Sequence, residues 1–455
     1  MPSAIPKSSP QTGITKFTNC LLVKGDRLVK DDLWISSVTG KILQSQEVFY
    51  EHQATADRIL DLGGRILAPG FIDVQLNGWC GFDFSVVPNE PSAYPKGIRQ
   101  VNKKLIETGV TSYLPTIPSQ KKELYTKALP HLGPSGKNRD PADGAESLGA
   151  HVEGPFISPT KNGIHTLGVL QTPTSGFSSL EDCYGSAHLS PDSATQIKKI
   201  TIAPELPGAL SCIPQLTARN IIVSIGHSEA TFETATSAIS AGATMITHLF
   251  NAMRPLHHRN PGIFGILGTS ASPRSSRSTS PTSTSPSTPT FLSTSLSPHP
   301  KPFFGIIADG IHLHPTSITI AYASHPTGFI LVTDAMALAG LPDGTYPWTN
   351  GELITKRGAQ LTLNDSETIA GTSITLIQCV ENFVNWCGIG VAEGVRAVTE
   401  TPAKMLGLRG TKGGLEPGCD ADLVVLGEAV SEDGWKELRV EQVWKFGECV
   451  HGETE

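Results

Sequence analysis

Short apolar runs recur along the chain in two textures. Near the N-terminus, residues 14–23, 32–38 and 41–43 alternate apolar and polar positions and are broken by Gly and Asp turns, the period-two pattern of a small antiparallel unit. Residues 421–426 and 440–446 repeat that texture near the other end. The segments 14–68 and 409–455 are therefore expected to combine into one composite β-sandwich domain. Between them the apolar runs alternate with helical stretches. Residues 71–76, 112–115, 148–153, 200–204, 221–226, 245–248, 304–308 and 329–334 read as strands. Residues 231–241, with an apolar stripe and a stop at Gly242, read as one of the helices. Eight such strand–helix units predict an α/β fold, a (β/α)8 barrel over 69–408.

Two stretches fit neither texture. Residues 1–13 are Ser/Pro-rich, lack the apolar core of a secretory signal and read as a flexible N-terminus. Residues 269–300 are so rich in Ser, Thr and Pro that they cannot bury a core, and they read as a disordered surface insertion in the barrel. An inert loop is the simplest account; a phosphorylated or partner-docking segment, or a translated intron, would have the same composition.

Composition then narrows the function. The 455 residues suffice for a barrel plus a satellite domain. A formal net charge of -7 offers no broad positive field to nucleic acid or an anionic membrane. No stretch approaches the roughly 18 apolar residues of a membrane span. A cytoplasmic protein with a small-molecule partner, no nucleic acid and no membrane is expected, and any phosphate must be held by a local cluster of cations. The eight cysteines form no CxxC pair, which argues against a zinc ribbon or disulfide framework. A metal would have to be held by His and carboxylate.

Polar residues end several of the apolar runs: Glu153, His227, His248, Asp309 and Asp334. That is the rim where barrel enzymes place their chemistry. Glu153, His227 and His248 form a set of one carboxylate and two imidazoles, suited to a catalytic zinc with a position open to water, although a lone His is more often structural. Asp334 reads either as a helix N-cap or as a general base beside an activated water. His165, in a Gly-containing loop, reads as a donor to a substrate carbonyl or as an exposed loop His. Arg254, His257, His258 and Arg259 share one loop and His312 follows another strand end; they read as a phosphate clamp or as a solvated basic surface. No GxxxxGK[ST] loop or strand-following GxGxxG is present, so nucleotide hydrolysis and dinucleotide redox chemistry are not suggested. This reading stops at a metal-dependent hydrolase in a barrel.

The ordered set Pro69-Gly-Phe-Ile-Asp-Val-Gln-Leu-Asn-Gly78, His151-Val-Glu-Gly-Pro-Phe-Ile157, Ala203-Pro-Glu205, Gly226-His-Ser228, Thr247-His-Leu-Phe-Asn-Ala-Met253, Ile307-Ala-Asp-Gly-Ile-His312, Val332-Thr-Asp-Ala335 and Ala370-Gly-Thr-Ser373 resembles the N-acetylglucosamine-6-phosphate deacetylase family of the amidohydrolase superfamily, in its eukaryotic, fungal form. The resemblance implies hydrolysis of the acetamide of N-acetylglucosamine 6-phosphate. It implies one divalent ion, zinc by preference, on Glu153, His227 and His248, with Asp334 as acid/base and His165 polarising the acetyl carbonyl. It further implies substrate contacts from Asn251, Ala252, Arg259 and His312, and a homodimer in which a neighbouring subunit completes the phosphate site. Many amidohydrolases carry His-x-His on the first strand; this chain has Gln75-Leu76-Asn77. Amides are poor ligands beside imidazoles, so one metal is expected, with Gln75 or Asn77 in its water shell. The alternatives are an amidohydrolase for a cyclic amide or another N-acyl sugar, a non-catalytic amino-sugar-phosphate sensor, and a scaffold working through the Ser/Pro segment.

Overall fold

The computed structural model describes residues 13–45, 55–190, 196–268, 300–347, 352–363 and 368–453. Residues 1–12 and 269–299, the expected flexible terminus and nearly all of the Ser/Thr/Pro insertion, lie outside the described residues. Eight strands follow one another in chain order: β1 (Phe71–Leu76), β2 (Val110–Pro118), β3 (Ala150–Glu153), β4 (Ile197–Ile202), β5 (Ile222–Ile225), β6 (Met245–Ile246), β7 (Phe303–Ile307) and β8 (Phe329–Val332). Every neighbouring pair from β1 to β8 is parallel. The ring closes just past β8. The Asp334 N–H donates to the Gln75 carbonyl and the Asn77 N–H to the Ala335 carbonyl, both at 2.9 Å. The barrel expected from eight apolar runs is present.

β1, β3 and β8 are buried along their whole length, as strands covered by helices on one side and lumen on the other must be. The helix predicted over 231–241 is Phe232–Ser240. The Thr231 hydroxyl caps it by accepting from the Thr234 N–H, and its apolar stripe buries Ala235, Ala238 and Ile239 against the barrel. It stops because Gly242, at φ 117°, turns where a side-chain-bearing residue would be strained.

Strands from both ends of the chain form the satellite domain. Their order is Glu448–His451, Lys436–Lys445, Leu423–Val430, Ile66–Pro69, Ile14–Lys24, Arg27–Ser36, Lys41–Ile42, with Arg58–Asp61 beside Ile14–Lys24. The hydrogen bonding is one continuous eight-stranded sheet. It still makes a closed core, because Ile14–Lys24 is bulged between Phe17 and Cys20 and pairs with Arg58–Asp61 before the bulge and Ile66–Pro69 after it. The curl brings Phe17 edge-on to Trp444, ring centroids 5.0 Å apart, over Leu22, Leu33, Ile35, Leu67 and Val425.

One element was not anticipated. A four-stranded antiparallel sheet, Gly344–Pro347, Leu353–Arg357, Gln360–Leu363 and Ile369–Thr372, interrupts the chain after β8. Its small core is Met336, Leu338, Ile354, Leu361 and Ala370. Its strands carry few inward apolar residues each, too few for the alternation to stand out. Ala335 bridges both Leu76 of β1 and Thr372 of this sheet, so the backbone beside Asp334 is held from two sides. Among the described residues no helix is long and apolar enough to cross a membrane.

Candidate metal centre at the barrel rim

Glu153 ends β3, His227 and His248 stand two residues beyond β5 and β6, and Asp334 two residues beyond β8. All four are buried or nearly so at the C-terminal rim. The backbone works against its preferences to put them there: φ is 48° at His227, 23° at His248 and 51° at Asp334, a left-handed region disfavoured for side-chain-bearing residues. Strain of this kind persists only where the surroundings enforce it. Gly226 shows the crowding, since a Cβ there would sit 2.7 Å from Thr247 Cβ.

The donor atoms converge. Glu153 Oε1 lies 3.0 Å from His248 Nε2 and 3.3 Å from His227 Nε2, and the two imidazole nitrogens are 3.0 Å apart. A tetrahedral zinc with bonds of about 2.0–2.1 Å holds its ligands roughly 3.3 Å apart, so these are the spacings of a coordination shell. The Nδ1–H of His227 donates to the Lys161 carbonyl at 2.8 Å, which leaves Nε2 as the lone pair facing Glu153. Burial alone would raise the Glu153 carboxyl, but the His227 and His248 imidazoles packed against it outweigh burial and hold the group well below the carboxylate range. The site suits a divalent cation.

His165 also offers a ring nitrogen within 4.8 Å of Glu153 and His227. Its hydrogen bonds decide its use. Nδ1 accepts the Ser119 backbone N–H at 3.1 Å and lies 2.7 Å from the Ser119 hydroxyl. The proton therefore sits on Nε2, making that edge a donor rather than a ligand. Burial, then the neighbouring His227, pushes its pKa down to about 3, so the ring is neutral. It is not an exposed loop residue: only 6% of it is accessible.

Asp334 caps no helix; the chain runs from it into the Ala335 bridges. Its Oδ1 accepts from Asn77 Nδ2 at 2.7 Å and Gln75 Nε2 at 3.2 Å, and the same Gln75 amide donates to Glu153 Oε1 at 3.1 Å. Burial, then the charge of Glu153, raises its pKa, the direction a proton-shuttling carboxylate needs. Gln75 and Asn77 thus tie the rim carboxylates together. Three buried polar atoms around them have no partner among the described residues: Gln75 Oε1, His248 Nδ1 and Asn251 Nδ2.

Of the remaining candidates, Asn251 and Ala252 lie in the turn after His248, where Ala252 has φ 49° and its carbonyl accepts the Ser228 N–H. His312 is fixed by Asp309, whose Oδ2 is 2.7 Å from Nδ1 and whose Oδ1 accepts two backbone N–H groups. Arg259 is exposed on the loop beyond Asn251. Three supporting residues were not singled out from the sequence: Ser119, the Lys161 carbonyl and Glu205. Glu205 accepts from the Ser228 hydroxyl and the Glu229 N–H, both at 2.6 Å, and so clamps the turn that carries His227. Only Glu205 had left a trace, as the end of the Ala203-Pro-Glu205 motif.

A barrel with a carboxylate and two imidazoles at its rim, and a second carboxylate beside them, has the architecture of a metal-dependent hydrolase. The amidohydrolase family model matches residues 66–450. N-acetylglucosamine-6-phosphate deacetylase of Danio rerio is 37% identical over 447 residues, covering 96% of this chain and 99% of its own. The structure of the Pasteurella multocida N-acetylglucosamine-6-phosphate deacetylase superposes with a TM-score of 0.73 at 26% identity, over 96% of this chain and 99% of that one. A point mutant of the Mycobacterium smegmatis deacetylase, solved with N-acetyl-D-glucosamine-6-phosphate, gives 0.71 at 25% identity over 97% and 100%. The chain belongs to the amidohydrolase family, in its N-acetylglucosamine-6-phosphate deacetylase branch.

Proposed function

We propose that the chain hydrolyses the acetamide of N-acetyl-D-glucosamine 6-phosphate to D-glucosamine 6-phosphate and acetate, in amino-sugar catabolism. The observation that carries this is the convergence of Glu153, His227 and His248 within 3.3 Å of one another, in a chain 37% identical to a deacetylase of that substrate over nearly its whole length. Glu153, His227 and His248 would hold one divalent ion, zinc by preference of the donor set, which supplies a water acidic enough to ionise near neutral pH and a Lewis acid for the carbonyl oxygen.

This chain's own residues do the rest. Asp334 takes a proton from the attacking water and passes it to the sugar nitrogen, because an amine leaves poorly unless protonated. His165, neutral and with its proton on Nε2, donates to the acetyl oxygen as negative charge develops there. Asn77 and Gln75 hold the Asp334 carboxylate by one oxygen, leaving the other for the proton, and Gln75 or Asn77 would border the water shell of a bound ion. The unpartnered Asn251 Nδ2, the Ala252 backbone, His312 and Arg259 hold the sugar and its phosphate. We assign the chain to a cytoplasmic homodimer in which the neighbouring subunit completes the phosphate site. The satellite domain is assigned to 14–68 plus 409–455 and the barrel to 69–408.

Purified protein loaded with zinc should release acetate from N-acetylglucosamine 6-phosphate and act poorly on the unphosphorylated sugar. Equal turnover of the two would reject the substrate assignment, and no turnover of either would reject the reaction.

A further inference from the structure

Below the rim, the barrel lumen holds a lysine that the chemistry above does not use. Lys199 lies in the middle of β4 and is fully buried, with its Nζ donating to the Val74 carbonyl at 2.8 Å. Barrel interiors are ordinarily filled by branched apolar side chains, and an ammonium placed there loses its hydration. Burial pushes its pKa down to about 8, with the charges of Glu153, Asp334 and Asp73 opposing the fall, so it remains a cation near neutral pH.

Its acceptor is not an ordinary ladder carbonyl. β1 pairs with β2 at Asp73↔Tyr113 and at Leu76↔Pro115, and the register shifts between them, so Val74 and Gln75 oppose one residue. Such bulges break the ladder and re-aim side chains, often beside active sites. Here side chains replace the missing ladder bonds. Lys199 takes the Val74 carbonyl, Asp73 Oδ1 accepts the Gln75 N–H at 3.1 Å, and Thr116 Oγ1 accepts the Leu76 N–H at 3.0 Å. The residue that the bulge aims is Gln75, whose amide spans Glu153 and Asp334.

We propose that Lys199 is a positioning residue for hydrolysis: its bond to the Val74 carbonyl fixes the bulge in β1, and the bulge fixes the Gln75 amide that joins the metal-binding carboxylate to the acid/base carboxylate. The inference rests on the deacetylase reading of the rim. Lys199 donates to the backbone of β1 and acts through Gln75. A displacement of about 1 Å in such a constellation costs on the order of 10²-fold in rate.

The test compares the parent, Lys199→Met, Lys199→Gln, Gln75→Ala and the Lys199→Met/Gln75→Ala double variant as metal-loaded full-length proteins. Lys199→Met is expected to keep its Tm within a few degrees and its KM unchanged while kcat falls on the order of 10²-fold. Metal affinity, measured by competition with a chelator, should weaken about tenfold, as expected when a group holding a ligand is displaced. The double variant should be no slower than Gln75→Ala, because both changes remove one arrangement. Lys199→Gln, which keeps an N–H donor one bond shorter, should recover part of kcat. An unchanged kcat and metal affinity in Lys199→Met would overturn the proposal. So would losses that multiply in the double variant, or failure of both Lys199 variants to fold, which would place the lysine in the fold rather than the reaction. An inactive parent would instead refute the deacetylase reading.

Discussion

The protein buries two clusters of potential ligand groups and uses them in opposite ways. At the rim, Glu153, His227 and His248 turn their ligand atoms to one point; between barrel and satellite domain, Glu146, Asp420 and Asp422 gather their carboxylates in the same way. The second cluster already has its cations. Lys412 Nζ lies 2.5 Å from Glu146, 2.8 Å from Asp420 and 2.9 Å from Asp422, and Lys445 Nζ lies 2.6 Å from Glu146 and 2.7 Å from Asp422. Arg139 and Lys41 pair with Asp420 from outside, and Lys445 also donates to the Thr111 carbonyl. At the rim, two imidazoles crowd one carboxylate oxygen, and Gln75, His248 and Asn251 each have a buried polar atom without a partner among the described residues. One cluster matches its carboxylates with the chain's own lysines; the other sets a carboxylate against imidazoles, the donor set that suits a divalent cation.

That contrast is sharpened most by removing the acid/base carboxylate. Asp334→Asn should keep its metal and fold while kcat falls by roughly two to four powers of ten, and near-normal turnover would remove Asp334 from the mechanism. The matching change in the paired cluster is Lys412→Met, which leaves Asp420, Asp422 and Glu146 crowded with one lysine fewer. It should cost about 3–5 kcal/mol in unfolding free energy by denaturant titration, with kcat per folded molecule unchanged. A smaller effect belongs to the exposed edge of the site. Arg259→Ala should raise KM for the phosphorylated sugar about tenfold, the weight of a hydrogen bond to a charged group, with no change for the unphosphorylated sugar.

The smallest effect is one of pH. Burial opposes ionisation of Asp420 and Asp422, but the lysines, Lys412 foremost, outweigh it and hold both below the carboxylate range. A group whose folded pKa is depressed contributes stability that is complete above its unfolded value, about 3.9, and is lost as pH falls below it. The parent should therefore lose stability below about pH 4, and Asp420→Asn should show a shallower acid slope. An unchanged slope would mean that Asp420 does not carry this linkage.

The two clusters also differ in how far the sequence disclosed them. Strand ends are legible because apolar runs stop at a polar residue, so Glu153, His227, His248 and Asp334 stood out without any contact being known. The paired cluster is invisible in one dimension: Lys412 meets Glu146 across 266 residues, and neither ends a conspicuous run. The same holds for Ser119 behind His165 and Lys199 beneath Gln75, whose roles depend on a tautomer and on a bulge. The eight barrel strands were readable from continuous runs. The four-stranded sheet after Asp334 was not, because its strands are short and their burial is spread over few residues. The curled satellite sheet was legible in its strands but not in its continuity, since alternation reports which residues face inward and not which strands neighbour one another.

The central claim is that the rim cluster, and not the paired one, is the seat of the metal. Metal content per chain should be measured on the parent, Glu153→Gln and Asp420→Asn after dialysis against a weak chelator. The account predicts one divalent ion in the parent and in Asp420→Asn, and loss of the ion from Glu153→Gln. Retention of the ion by Glu153→Gln, or its loss from Asp420→Asn, would contradict it.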